Sequence, residues 1–243
     1  MKSLDVFSCI GCHAIGFERA GITTVMFCEK DDWRRERISE RFPGVNVHDD
    51  VRSFWWGIGP REAEGVDIII GGPPCQETSI AAAIHGKRTG NSLWPYMLRI
   101  GLDAHAKWFV VEQPPGHAAW EAKVAVDLSG AGYHVARFEF GACDVGAPYL
   151  RRRVFLVACT SLSRLAIARS ALPSEIESVK RAADARGDWE PGKLAFVPVD
   201  AGSADEYSPG LRSWRKKWIE AVGDSNPPHM AEVIGRTIAA AND

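Results

Sequence analysis

The sequence predicts an α/β fold built on a parallel sheet that is buried on both faces. Short, continuously apolar runs of strand length recur through the first two thirds of the chain. Stretches with helical patterning separate them, and most of the runs end in glycine, proline or a polar residue. A strand apolar along its whole length has no wet face, and parallel strands need helical crossovers to cover both sides.

Taken in order, residues 4–7 are the first expected strand, and a glycine-containing turn leads to a helix over 14–20 that Gly21 closes. Residues 23–28 are β-rich and end at Glu29; 33–41 are helical up to the break at Pro43 and Gly44; 45–47 are a short strand before Asp49 and Asp50. Residues 66–70 form an apolar strand running into Gly71, Gly72, Pro73 and Pro74, and 108–111 another that ends at Glu112. A helix over 118–129, stopped by Gly130 and Gly132, precedes strands over 134–140 and 153–159. From 160 to 207 the pattern changes: a charged amphipathic helix over 173–186, an apolar segment 194–199 and a Gly/Ser/Asp stretch read as a small insertion or subdomain. Two terminal helices, 212–222 and 229–241, follow. Sheets of this kind bind ligands beyond the carboxyl ends of their strands, so Ser8, Glu29, Asp50, Cys75 and Glu112 are expected along one edge.

The 243 residues suffice for one good core, and 46% hydrophobic with 25% charged residues is ordinary for a globular protein. A net charge of -2 does not announce nucleic-acid binding, yet phosphate contacts need only a local basic patch. No apolar run reaches membrane-spanning length, and the first residues lack a signal core, so the expected compartment is the cytoplasm. Six cysteines, at 9, 12, 28, 75, 143 and 159, are then expected as thiols rather than a disulfide framework. Cys9, Cys12 and His13 match the haem-attachment string C-x-x-C-H, but it stands alone, and a lone C-x-x-C is half a zinc site. Two small residues packing a tight turn is the simpler reading.

Four segments carry chemistry. The turn DVFSCIGCHAIGFERAG brings backbone amides and a helix start to a strand end, as many nucleotide sites do. Glu29 suits a ribose diol, whose hydroxyls both donate to a carboxylate. In GGPPCQ, two prolines hold the thiol of Cys75 at a fixed angle, as a nucleophile requires. In VVEQPPG, Glu112 follows an apolar strand directly and is placed to act as an acid or hydrogen-bond partner. In GAPYLRRRVFLVA, Arg151 and Arg153 lie two apart at a strand entrance and so share a face.

In this order the segments resemble the DNA cytosine-C5 methyltransferases. DVFSCIGCHAIGFERAG resembles that family's first motif, Glu29 in FCEKD its second and Asp50 in HDDV its third. GGPPCQETS resembles the nucleophile motif; NSLW, VVEQPPG and GAPYLRRRVFLVA follow in order, and GDSNPPHMAEVIG resembles the C-terminal motif. The resemblance implies a Rossmann-like class I methyltransferase fold using S-adenosylmethionine, with duplex DNA as partner, its target cytosine flipped out, and no metal. It implies a catalytic domain of 1–160 plus 208–243 and a reduced target-recognition segment, 161–207. Phe7, Ser8, Gly11, Glu29, Asp50, Pro73, Leu93 and Asp224 would line the cofactor site, with Phe7 near the adenine, Glu29 on the ribose and Asp50 on the adenine amino group. Cys75 would be the nucleophile, Glu112 would face N3 of cytosine, and Arg151 and Arg153 would position the base and the catalytic loop, for which residues 77–91 are the candidate.

The chemistry explains the residues. Carbon 5 of a pyrimidine accepts a methyl group only after a thiolate adds at carbon 6, and the charge that then reaches N3 needs a partner. The sequence departs from the family's pattern at Cys9 and Cys12, at Gln113, at Tyr149 and at Asp224, and above all in the shortness of 161–207, which leaves little to read a major groove. That implies short-site or relaxed specificity in a bacterial or phage-like restriction–modification setting. A free pyrimidine nucleotide or RNA as substrate, a silent nucleic-acid-binding relative, and a nucleotide-binding oxidoreductase are the other readings.

Overall fold

The computed structural model describes residues 1–54, 65–74, 92–190 and 209–242, with 209–215 described by backbone alone. Cys75, the 77–91 loop and the 194–199 segment lie outside the described residues. Among those described, seven strands form one sheet in the order β3-β2-β1-β4-β5-β7-β6. They are β1 (Lys2–Val6), β2 (Thr23–Cys28), β3 (Asn46–His48), β4 (Ile68–Gly71), β5 (Trp108–Gln113), β6 (His134–Gly141) and β7 (Arg152–Cys159). The first five are parallel, whereas β7 runs antiparallel between β5 and β6. The expected all-parallel sheet is corrected there: β6 and β7 are joined by a short connection, with no helical crossover to turn the chain around.

Strand pleating explains why these runs are apolar throughout. Leu4, Val6, Ile69, Phe109, Val111 and Leu156 point to one side. Ile68, Ile70, Trp108, Val110, Phe155 and Val157 alternate with them and point to the other. The first side is covered by α3 (Trp94–Asp103) and α4 (Ala118–Gly130), through Trp94, Met97, Trp120 and Val124. The second is covered by α1 (Cys12–Arg19), α5 (Leu162–Arg186) and α7 (Pro228–Ala240), through Phe17, Leu165, Val179, Met230 and Ile234. The remaining helices are α2 (Asp32–Arg41), capped by the Asp31 carboxylate on the Arg34 amide at 2.9 Å, and α6 (Pro209–Asp224).

Two helices differ from expectation. α3 is not foreseen; its proline stands in the first turn, where it forfeits no helical bond. α5 starts eleven residues earlier than the expected 173, and Pro173 lies inside it. An internal proline costs one backbone bond, but Leu165, Ala168, Leu172, Ile176 and Val179 make one stripe across it that packs in the core on this side of the sheet. The helical part of 161–207 is thus built into the main body. No helix among the described residues is long and apolar enough to cross a membrane.

Strand order reverses at β1, which lies between β2 and β4. The carboxyl ends of β1 and β4 therefore flank the crevice where such sheets hold ligands.

Candidate active site

Beyond β1 the chain winds tightly into α1. Phe7 and Cys9 have φ of 59° and 53°, and Gly11, at φ 78°, starts the helix. Left-handed conformations at non-glycine residues persist only where the surroundings over-determine them. Here the Phe7 amide donates to Cys28 O at 2.8 Å, the Cys9 amide to Glu29 Oε2 at 2.8 Å, and the Gly11 amide to Ser8 O at 2.8 Å. The Ser8 hydroxyl donates to Asp5 O at 2.6 Å and accepts from the Cys28 amide at 3.3 Å. Ser8 holds the turn together with its side chain, where the resemblance implies a cofactor contact.

The acids of this edge already have partners. Glu29 is buried, accepts from the Cys9 and Asp31 amides, and has its pKa raised by burial. Asp50 is clasped by Arg52, whose hydrogen bonds hold its carboxyl down at about 2. Asp224, 61% exposed in its side chain, turns outward to pair with Arg34 at 2.5 Å. Two residues on, Asn226 is 2% exposed and neither atom of its amide has a hydrogen-bond partner. Sequence reasoning singled out Asp224 and passed over Asn226; the Pro-Pro that follows, which locks Asn226 at the head of α7, was the available signal. Phe7 and Leu93 are half-buried on the cluster that covers the first face of the sheet.

Cys9 and Cys12 pack with Ile10, Trp218 and Ala221 beneath α6, and burial pushes their thiols up to about 11 and about 12. A metal ligand or redox thiol needs the opposite shift. The five described cysteines are free.

The second half of the edge is built around Glu112, which ends β5 buried at 7% exposure. Its Oε1 lies 2.8 Å from the Arg153 guanidinium of β7. Its Oε2 lies 2.7 Å from where a Cβ on Gly72 would stand, so only glycine lets the carboxyl group lean across the end of β4. Gln113 faces the other way and donates its side-chain amide to Pro73 O at 2.6 Å. The glutamine that departs from the family's pattern thus fastens the β5 end to the buried proline two residues before Cys75.

Arg151 and Arg153 part company. Arg151 precedes β7 with φ 31°, and its guanidinium donates to Gly223 O at 2.7 Å and to Ser225 O. Burial and the neighbouring Arg153 lower its pKa. Its hydrogen bonds latch the α6–α7 turn, while Arg153 pairs with Glu112. Tyr149 packs edge-on against Trp189.

Parallel strands 3-2-1-4-5 with an antiparallel β7 inside the last edge, a tight turn after β1 and acids closing β2, β3 and β5 define a Rossmann-like class I methyltransferase fold. Comparison with known proteins narrows this. Residues 1–188 match the family model of the C-5 cytosine-specific DNA methylases, and the chain belongs to that family. It is 32% identical over 170 residues to the type II methyltransferase M.DdeI of Desulfomicrobium norvegicum, covering 66% of this chain and 41% of that protein. It is 28% identical over 248 residues to M.XorII of Xanthomonas oryzae, covering 96% and 53%. A solved structure described as a DNA modification methyltransferase encoded within an E. coli prophage superposes with a TM-score of 0.54 at 26% identity, covering 65% of this chain and 46% of that one. The chain thus spans about half the length of most of the curated relatives it matches. The family's methyl donor is S-adenosylmethionine.

Proposed function

We propose that this protein transfers a methyl group to C5 of cytosine in duplex DNA through a covalent adduct of Cys75, with the target base flipped out of the helix. The observation that carries this is the construction around Glu112. A buried carboxyl group, held by Arg153 and leaning over Gly72, is tied through Gln113 to the peptide that leads into Cys75. A pyrimidine-activating site needs that pairing of acid and nucleophile loop. Cys75 adds to C6, and Glu112 shares its proton with N3 as charge arrives there. C5 then takes the methyl group, gives up its proton to solvent, and the C5–H electron pair re-forms the ring double bond as the Cys75 thiolate leaves.

S-adenosylmethionine, when bound, supplies the electrophilic methyl group. The β1–β4 crevice fits it: Phe7 and Leu93 offer apolar walls, Glu29 a carboxylate at the β2 end, and Asn226 a buried amide with both atoms unpartnered. Gly11, Asp50 and Pro73 complete the proposed lining. Asp224 is proposed to contribute only through Arg34.

The catalytic unit is 1–160 with 208–243. With α5 packed on the sheet, residues 187–207 are what the segment 161–207 leaves for recognition, which supports short-site or relaxed specificity in a cytoplasmic enzyme of the restriction–modification type. Radiolabelled methyl incorporation into duplex DNA, RNA and dCMP, run side by side, tests the substrate; labelling confined to dCMP or RNA defeats the DNA reading. Cys75→Ala abolishes incorporation while S-adenosylmethionine binding persists, and full turnover by that variant refutes the covalent route. Bisulfite sequencing of DNA from expressing cells reads out the sequence context.

A further inference from the structure

The first motif carries a histidine that the reaction described so far does not use. His13 is 7% exposed, and its Nδ1 lies 3.3 Å from Oδ1 of Asp5, which is fully buried in β1. The opposite ring atom, Nε2, and the second carboxylate oxygen, Asp5 Oδ2, have no hydrogen-bond partner. Buried polar atoms are rarely left so without a functional reason.

The sheet register says what they face. Asp5 is level with Ile70 of β4, which is level with Val110 of β5. Two residues further along those two strands stand Gly72 and Glu112, on the same face as Asp5 and one step nearer the carboxyl edge. β4 lies between β1 and β5, and at this level it presents glycine. The Glu112 carboxyl group leans over that glycine, toward β1, the strand whose Asp5 holds His13. The charged groups acting on His13 are Asp5 from β1 and Glu112 from β5, and the two acids together raise its pKa against the opposing effect of burial. Arg153 of β7 meets the cluster through Glu112, and the neutral Asn226 sits at the head of α7, the helix packed on α1.

We propose that His13, held by Asp5, is a positioning residue for Glu112: across Gly72, its imidazolium stabilises the carboxylate left when Glu112 gives its proton to N3 of the target base. This rests on the cytosine-C5 reading above. Glu112 takes up a proton from solvent as the base binds; its O–H bond then breaks and an N3–H bond forms as Cys75 adds to C6, and on elimination the proton returns from N3 to Glu112. His13 keeps its own proton throughout and changes only the strength of the acid. The imidazolium is present below the His13 midpoint and is lost as pH rises through it, so turnover declines across that interval.

Histidine-ring NMR of the full-length chain, with His13 assigned through His13→Gln, follows its titration in the wild type and in Glu112→Gln. Removing the Glu112 charge lowers the His13 midpoint by about one pH unit. In parallel, pH–rate profiles of methyl incorporation into duplex DNA compare wild type with His13→Gln. The variant loses roughly ten-fold or more in kcat with KM for S-adenosylmethionine little changed, and it lacks the decline with rising pH. Mere damage to the fold would lower the rate at every pH without changing the shape. An unmoved His13 midpoint in Glu112→Gln, or a wild-type profile in His13→Gln, overturns the proposal. Wild-type protein that labels no cytosine sinks the C5 reading instead, and the NMR comparison still decides whether His13 and Glu112 are coupled.

Discussion

Two histidine–aspartate pairs lie on the same face of the sheet, each with a buried imidazole, and they behave oppositely. His13 meets Asp5 at 3.3 Å near the strand ends, and His229 meets Asp188 at 2.7 Å where α1, α5 and α7 come together. Burial opposes charge on both rings, yet His13 has its pKa raised and His229 lowered. Their company differs. His13 sees two carboxyl groups, whereas His229 sees Arg19 beside its aspartate. Around His229 the charges are closed into a network: Glu232, fully buried, pairs with Arg236 at 2.7 Å and lies 3.6 Å from both Arg19 and Arg186. Each cluster keeps unpartnered polar atoms, His229 Nδ1 and Glu232 Oε2 in one, Asp5 Oδ2, His13 Nε2 and both Asn226 amide atoms in the other, but around His13 a single arginine, Arg153, pairs with the acids, through Glu112 at 2.8 Å. The arginine-rich cluster ties α1, α5 and α7 together, whereas the His13 cluster lies at the strand ends where such sheets hold ligands.

Substitutions in the two clusters separate those roles. The largest effect is expected at Glu112→Gln, which lowers methyl transfer by about 10²–10⁴-fold, the usual worth of a positioned acid. Its denaturant midpoint stays near that of the wild type; a collapse of stability in step with activity would place Glu112 with the fasteners. Next comes Glu232→Ala, costing about 3 kcal/mol because three arginines lose a buried partner. Equilibrium unfolding checks it, and a loss under 1 kcal/mol contradicts the closed-network account.

The pairs also differ in the sign of their pH response. With its pKa raised, His13 contributes stability that is fully present below the unfolded value near 6.5 and is lost as pH rises through the folded midpoint. With its pKa lowered, His229 contributes stability that is present above 6.5 and is lost as pH falls through its folded midpoint. Melting curves from pH 5 to 8 for His13→Gln and His229→Gln, each against wild type, diverge in opposite directions; parallel curves would erase the distinction. A smaller effect belongs to Gln113→Ala, which removes the hold on Pro73 and costs about 1 kcal/mol. Asp224→Asn costs the least, under about 1 kcal/mol, since its pair with Arg34 is largely exposed.

Much of the fold is legible before any coordinates. The inner strands β1, β4, β5 and β7 fall on apolar runs, because pleating with helices on both faces demands them, while the edge strands β3 and β6 carry polar residues. The direction of β7 is not legible, since an apolar strand looks the same read either way. Nor is the course of α5 through Pro173, where a stripe of contacts on the sheet overrides a local signal. At the site, residues that close strands announce themselves by position, as Glu29, Asp50 and Glu112 do. Their partners do not. Arg151 and Arg153 share a spacing but not their hydrogen-bond partners, which lie in the α6–α7 turn and on Glu112.

By itself, then, the sequence determined the fold class, the family and the list of chemically able side chains, all of which depend on residue type and on order along the chain. Tertiary structure alone decided which of those side chains are occupied and which are open. Ser8 and Asp224 are turned to structural partners, while Asn226 and His13 are buried with polar atoms unanswered. The reason is physical: a side chain's role is set by the groups within a few ångströms of it, and here those groups come from strands and helices as much as 212 residues away.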